Sequence, residues 1–121
     1  RVLNNLLSNA VKYSPGGGDV LVRIGVDRKP GDEVAVLSVQ DNGIGIPPED
    51  VAHVFQRFRR AANVAGAFEG TGIGLADVDQ IVHLHGGSVA VASQYGIGTT
   101  FTVRLPRRDA SSAAQHLVKI L

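Results

Sequence analysis

The 121-residue chain contains no cysteine, so it can form neither a disulfide framework nor a thiolate zinc site. This absence fits a reduced, intracellular setting, and a cytoplasmic location is the expectation. Methionine is also absent, and the sequence opens directly on Arg1-Val2-Leu3, which leads us to expect a piece of a longer protein. No apolar run approaches the roughly 18 residues that a membrane-spanning helix needs, and Arg1 to Ala10 lacks the plan of a signal peptide. No direct membrane insertion of this segment is expected. Charge of one sign is missing too. Twelve basic residues stand against eleven acidic ones, and no short window gathers Lys and Arg into the stripe that a nucleic-acid groove requires. Nucleic acid is therefore not expected as a partner. What remains is a chain of single-domain length whose 44% hydrophobic content can fill one core.

Apolar residues at Val2, Leu3, Leu6, Leu7, Ala10 and Val11 recur at helical spacing, and Ser14-Pro15-Gly16-Gly17-Gly18 ends that helix. Val20, Val22, Ile24 and Val26 alternate with other residues, and a second β-rich run covers Val34 to Val39 after the turn at Lys29 to Asp32. These read as neighbouring antiparallel strands. Pro47-Pro48-Glu49-Asp50 suits the first turn of a helix that carries Val54, Phe55 and Phe58. From Arg59 to Thr71 small residues predominate, and the pattern predicts a mobile loop. Leu75, Val78, Ile81 and Val82 mark another helix ending at Gly86-Gly87, followed by strands over Val89–Ala92 and Thr99–Leu105 around a turn at Tyr95-Gly96. The order predicts an α+β fold, a two-layer sandwich with one sheet covered on one face by helices.

Three segments carry candidate chemistry. On the first helix Asn5, Ser8, Asn9 and Lys12 fall at i, i+3, i+4 and i+7, opposite the leucines. An amide oxygen there can ligate Mg²⁺ and a lysine can meet a phosphate, although this element taken alone reads as an ordinary solvated face. Asp41-Asn42-Gly43-Ile44-Gly45-Ile46-Pro47 follows a strand directly; its carboxylate can accept a hydrogen bond from an amino group such as adenine's, and a plain tight turn is the competing reading. Gly70-Thr71-Gly72-Ile73-Gly74-Leu75 leads into a helix, whose free N–H groups and dipole suit a phosphate. A dinucleotide fingerprint would need glycine at Leu75, and no Gly-Lys pair exists for a P-loop.

Together these segments resemble the ATP-binding domain of sensor histidine kinases, in the superfamily that includes DNA gyrase, the ninety-kilodalton chaperones and MutL proteins. Asn5 to Tyr13 is similar to that family's asparagine box, Asp41 to Gly45 to its first glycine box, and Phe55-Gln56-Arg57-Phe58 to its phenylalanine box. Gly70 to Leu75 resembles the second glycine box, and Leu84 to Gly87 with Gly96 to Phe101 the closing pattern. The resemblance implies a Bergerat-type sandwich with a mixed sheet and a mobile ATP lid, spanning residues 1–106 as an N-terminally truncated catalytic domain, with 107–121 an unassigned tail.

It also implies ATP and Mg²⁺ as ligands, with Asn9 on the metal, Asn5 near the same ion and the phosphates, Lys12 toward phosphate and Tyr13 against adenine. Asp41 would read the adenine amino group; Gly43 and Gly45 would make room for the base, beside Ile46 and Thr99. Arg57 would reach phosphate from the lid, Gly72 and Gly74 would hinge the loop over the triphosphate, and Gly70, Thr71 and Leu75 would bind the nucleotide beside them. The implied activity is transfer of the γ-phosphate to a histidine on a separate dimerisation hairpin, with a response regulator downstream. Asn5 stands where the gyrase-like ATPases and anti-sigma kinases carry a glutamate, and an amide cannot act as a general base. That favours transfer over hydrolysis.

Two rivals stay in view: a nucleotide-binding interaction module, whether anti-sigma-like switch or inactive kinase-like domain, and an ATPase gate. Asp77 and Asp79 stand where the family commonly has an apolar and a basic residue, and an outward helix face would make them harmless. None of His53, His83, His85 and His116 is followed by the acid typical of a phospho-acceptor, so the acceptor is expected elsewhere.

Overall fold

The computed structural model describes residues 2–29, 32–56 and 74–106. The expected lid loop and the C-terminal tail lie outside the described residues.

Helix α1 runs over Val2–Lys12 and buries Val2, Leu6 and Ala10 at i, i+4 and i+8, one apolar line down a single face. Its last turn carries Lys12, which suits the negative end of the helix dipole. Pro15 disfavours helical geometry at Ser14, and the chain turns out through Gly17 at φ +83°. Strand β1 (Val20–Lys29) and strand β2 (Asp32–Asp41) pair antiparallel, Val20 opposite Asp41. Helix α2 covers only Pro48–Val51. The helix expected to continue to Phe58 ends early: the chain turns through hydrogen bonds from His53 N–H to Asp50 O and from Gln56 N–H to His53 O, dropping Val54 into the core. Helix α3 (Gly74–Leu84) buries Ala76, Val78 and Val82 and lies against α1. Strands β3 (Ser88–Gln94) and β4 (Gly98–Pro106) complete the fold as a second hairpin.

The strand order is β1-β2-β4-β3. Every strand pairing among the described residues is antiparallel, where the resemblance implied a mixed sheet. The reason is topological. The helical connection makes β3 run parallel to β2, but β4 inserts between them, so no parallel ladder forms. The α+β two-layer architecture is otherwise as expected, with α1 and α3 on one face.

Paired positions line up in rows across the sheet. Val22, Val39, Phe101 and Val91 form one row, and Ile24, Leu37, Val103 and Val89 the next. The central members Leu37, Val39, Phe101 and Val103 are all buried beneath the helices, each contributing about 1.5–3 kcal/mol of burial. Phe55 meets Phe101 edge-on, with ring centroids 6.0 Å apart. On β1 the same face is less covered, leaving Val22, Ile24 and Val26 exposed. The opposite face carries polar groups, among them Arg104, whose guanidinium reaches Asp27 at 3.1 Å.

Candidate functional site

One further row completes the helix-covered face at the end of β2, and its chemistry changes. Val20, Asp41, Thr99 and Ser93 stand side by side on β1, β2, β4 and β3, one step beyond the apolar rows. Period-two alternation thus turns Asp41 inward by the same rule that turns Val39 and Leu37 inward. Asp41 and Thr99 are each 3% exposed. Gly43 N–H donates to Asp41 Oδ1 at 2.9 Å, and the Thr99 N–H also donates to that carboxylate. Burial raises the Asp41 carboxyl above its ordinary value, and those two N–H bonds only partly offset the cost of charge.

The loop after Asp41 is tied to its surroundings at three points. Ile44 N–H donates to the Tyr13 carbonyl at 2.9 Å, Ile46 N–H to Ser93 Oγ at 2.8 Å, and Gly96 N–H to the Ile44 carbonyl at 2.7 Å. These bonds draw the loop between the end of α1 and the β3–β4 turn. The approach is so close that a Cβ at Gly43 would collide with the Tyr13 carbonyl oxygen. Gly45 sits at φ +73°, and a Cβ there would strike the Gln94 carbonyl. The glycines of this segment are therefore demanded by the chain's own packing, independently of any ligand.

Tyr13, 7% exposed, and Ile46, 1% exposed, belong to the same buried cluster as the apolar rows. Along α1, Asn5 and Asn9 are half-buried and Lys12 is exposed, so the stripe is not a uniformly solvated face. Asn5 faces the start of α3: its Oδ1 lies 3.3 Å from where a Cβ on Gly74 would stand. Leu75, next to Gly74, is half-buried and packs against the core. The structure thus gathers Tyr13, Asp41, Gly43, Gly45, Ile46 and Thr99 at one end of α1, and Asn5 with Gly74 and Leu75 toward the other. About 12 Å of helix separates Asn5 from Tyr13. Arg57, Gly70, Thr71 and Gly72 lie outside the described residues.

Asp79 pairs with His83 one turn on, at 3.1 Å between Oδ1 and Nδ1, on the more exposed side of α3. The residue that sequence reasoning missed is Ser93. Its signal was available in the alternation Val89, Val91, Ser93, which sets a hydroxyl among inward-facing positions. Among the described residues no helix is long and apolar enough to cross a membrane.

Comparison with known proteins finds relatives of this chain in sequence and in fold. The chain is 44% identical over 110 residues to sensor histidine kinase WalK of Bacillus subtilis, covering 90% of this chain and 18% of that protein. It is 42% identical over 109 residues to the circadian input-output histidine kinase CikA of Synechococcus elongatus, covering 89% of this chain and 14% of that one. The chain thus spans less than a fifth of the length of these two relatives. Among solved structures, the mycobacterial sensor histidine kinase MprB superposes with a TM-score of 0.72 at 39% identity, over 90% of this chain and 72% of that one. Full-length ShkA, solved in complex with AMPPNP, gives 0.73 at 30% identity, over 93% of this chain and 22% of that one. A family model described as histidine kinase-, DNA gyrase B- and HSP90-like ATPase matches residues 1–109, and the chain belongs to that ATP-binding family.

Proposed function

We propose that this chain binds Mg-ATP along α1 and serves as the catalytic domain of a sensor histidine kinase, delivering the γ-phosphate to a histidine on a separate helical hairpin. The observation that carries the reading is the polarity of the row at the end of β2. Asp41, held by two backbone N–H groups, offers a carboxylate that accepts hydrogen bonds, which suits the amino group of adenine. Tyr13 and Ile46, buried in the apolar cluster beside this row, would back the base, and Thr99 stands opposite Asp41 on β4.

From there α1 leads toward the phosphates. The half-buried amide of Asn9 offers an oxygen to a hard divalent cation without adding charge, and Asn5 lies one turn earlier, beside the first residue of α3. Among the described residues no three His, Cys, Asp or Glu come together around a metal, so a cation at Asn9 would share its coordination with phosphate oxygens and water. Bound Mg²⁺ would neutralise charge on the phosphates. Lys12, exposed on the last turn, would add a point charge toward them, and the α3 N-terminus would add N–H groups and the helix dipole. Arg57 and the loop from Gly70 to Gly72 would close over the triphosphate.

No residue on this stripe is a general base, because position 5 holds an amide. Transfer would therefore rest on positioning and charge neutralisation, with the nucleophile brought from the hairpin of the parent kinase, a dimer serving a response regulator on the cytoplasmic side. The test is to mix the chain with a separately expressed acceptor hairpin and γ-labelled ATP. Acid-labile label on the hairpin histidine is the expected result, and release of free phosphate with an unlabelled hairpin contradicts it.

A further inference from the structure

Ser93 lies outside every segment of the family resemblance, yet its hydroxyl closes the polar row at its β3 end, next to Thr99. Three hydrogen bonds meet at Ser93 Oγ: one from Ile46 N–H at 2.8 Å, one with the Gly98 carbonyl at 3.1 Å, and one with Thr99 Oγ1 at 2.9 Å. A serine hydroxyl has one proton and two lone pairs. Ile46 N–H can only donate, so it occupies one lone pair. The Gly98 carbonyl can only accept, so it takes the Ser93 proton. The bond to Thr99 must then be donated by Thr99, into the second lone pair. That assignment saturates Ser93 and commits the single proton of the Thr99 hydroxyl.

With its proton turned to Ser93, Thr99 can offer any ligand only lone pairs. Its neighbour Asp41, 3% exposed and already accepting N–H bonds from Gly43 and Thr99, is likewise an acceptor when ionised. We infer that Ser93 is a specificity-determining positioning residue, which fixes Thr99 as an acceptor so that the Asp41–Thr99 pair welcomes a base bearing an exocyclic amino group and rejects one bearing a keto oxygen there. The inference rests on the nucleotide-binding reading above and adds to it the origin of base discrimination. Without Ser93 the Thr99 hydroxyl can rotate and donate, and a keto oxygen then finds a partner. Ser93 also ties the Gly43–Ile46 loop to the β3–β4 turn, so a purely structural role is the rival account.

The two accounts separate in the ratio of affinities for ATP and ITP, which differ in whether an amino or a keto group occupies the same ring position. Calorimetric titration of the full chain with each nucleotide, in Mg²⁺, should give a marked preference for ATP. Ser93→Ala is expected to reduce that preference about five- to tenfold, roughly the worth of one reoriented hydrogen bond, and Ser93→Thr, which keeps a hydroxyl, to restore it. Thr99→Val should reduce the preference by a similar factor, and adding Ser93→Ala to it should change the ratio by no more than about twofold, because Ser93 acts through Thr99. Equal weakening of ATP and ITP in Ser93→Ala, with the ratio unchanged, overturns the inference in favour of a structural brace. Should Ser93→Ala fail to fold, Thr99→Val decides alone, and an unchanged ratio there also overturns it. A folded wild-type chain that binds neither nucleotide overturns the nucleotide-binding reading itself, a result distinct from binding without discrimination.

Discussion

Replacing Asp41 by asparagine changes the acceptor at the end of β2 into a group of nearly the same shape that carries N–H donors. In the wild-type chain the carboxylate is 3% exposed and accepts from the backbone of Gly43 and Thr99. The amide oxygen of the substituted side chain can still accept one or both of those bonds, so the loop geometry is expected to survive. The amide nitrogen, however, would face the adenine amino group donor to donor. A hydrogen bond to a charged group is worth about 1.5–3 kcal/mol, and each 1.4 kcal/mol is tenfold in affinity, so Kd for ATP should rise roughly 10- to 100-fold.

Stability should move differently. Because burial raises the folded-state pKa of Asp41 above 3.8, the ionised form is disfavoured on folding. The stability it contributes is therefore fully present below the unfolded pKa and is lost as pH rises through the raised folded value. Asp41→Asn has no such titration. Relative to the variant, the wild type should be most stable in acid and lose that margin toward neutral pH, where the substitution should leave the melting temperature unchanged or higher. Calorimetric titration, and thermal melts of both chains compared between acid and neutral pH, read both quantities. An ATP affinity within about twofold of wild type in a folded Asp41→Asn chain would refute the assignment of Asp41 to base recognition.

Three further substitutions probe the other parts. Asn9→Ala removes the amide oxygen offered to the cation and should abolish the strengthening of ATP binding by Mg²⁺; unchanged Mg²⁺ dependence in paired titrations removes Asn9 from the site. Gly43→Ala drives a methyl group into the Tyr13 carbonyl and should cost about 1–3 kcal/mol, lowering the melting temperature by roughly 5–20 °C whether or not nucleotide is present. Phe101→Ala empties the middle of the apolar row and the edge-on contact with Phe55, and a loss of about 3–5 kcal/mol should appear as a lower urea midpoint.

Much of this architecture was legible because burial imposes strict periods. The i, i+4, i+8 line of Val2, Leu6 and Ala10 could face only a core, and the alternation from Ala35 to Asp41 placed the carboxylate on the same face as Leu37 and Val39. What escaped was non-local. Composition cannot say that β4 rather than β3 lies beside β2, so the mixed sheet implied by the resemblance could not be checked against the strand order, and every pairing among the described residues is antiparallel. The early end of α2 depends on Val54 dropping into the core, a contact invisible in a four-residue turn signal. The glycines at 43 and 45 were expected to make room for a base, and the sequence could not reveal that the distant Tyr13 and Gln94 carbonyls already require them. Ser93 reads locally as one more polar residue in a strand, and only its pairing with Thr99 beside Asp41 gives it a place in the site.

The central claim is an ATP site that runs along α1 from Asp41 to Asn5, and calorimetric titration of the purified chain with ATP, with and without Mg²⁺, tests it most directly. Saturable one-to-one binding, tightened by Mg²⁺, is the result the account requires. Absence of binding by a chain shown to be folded by its melting transition would contradict it.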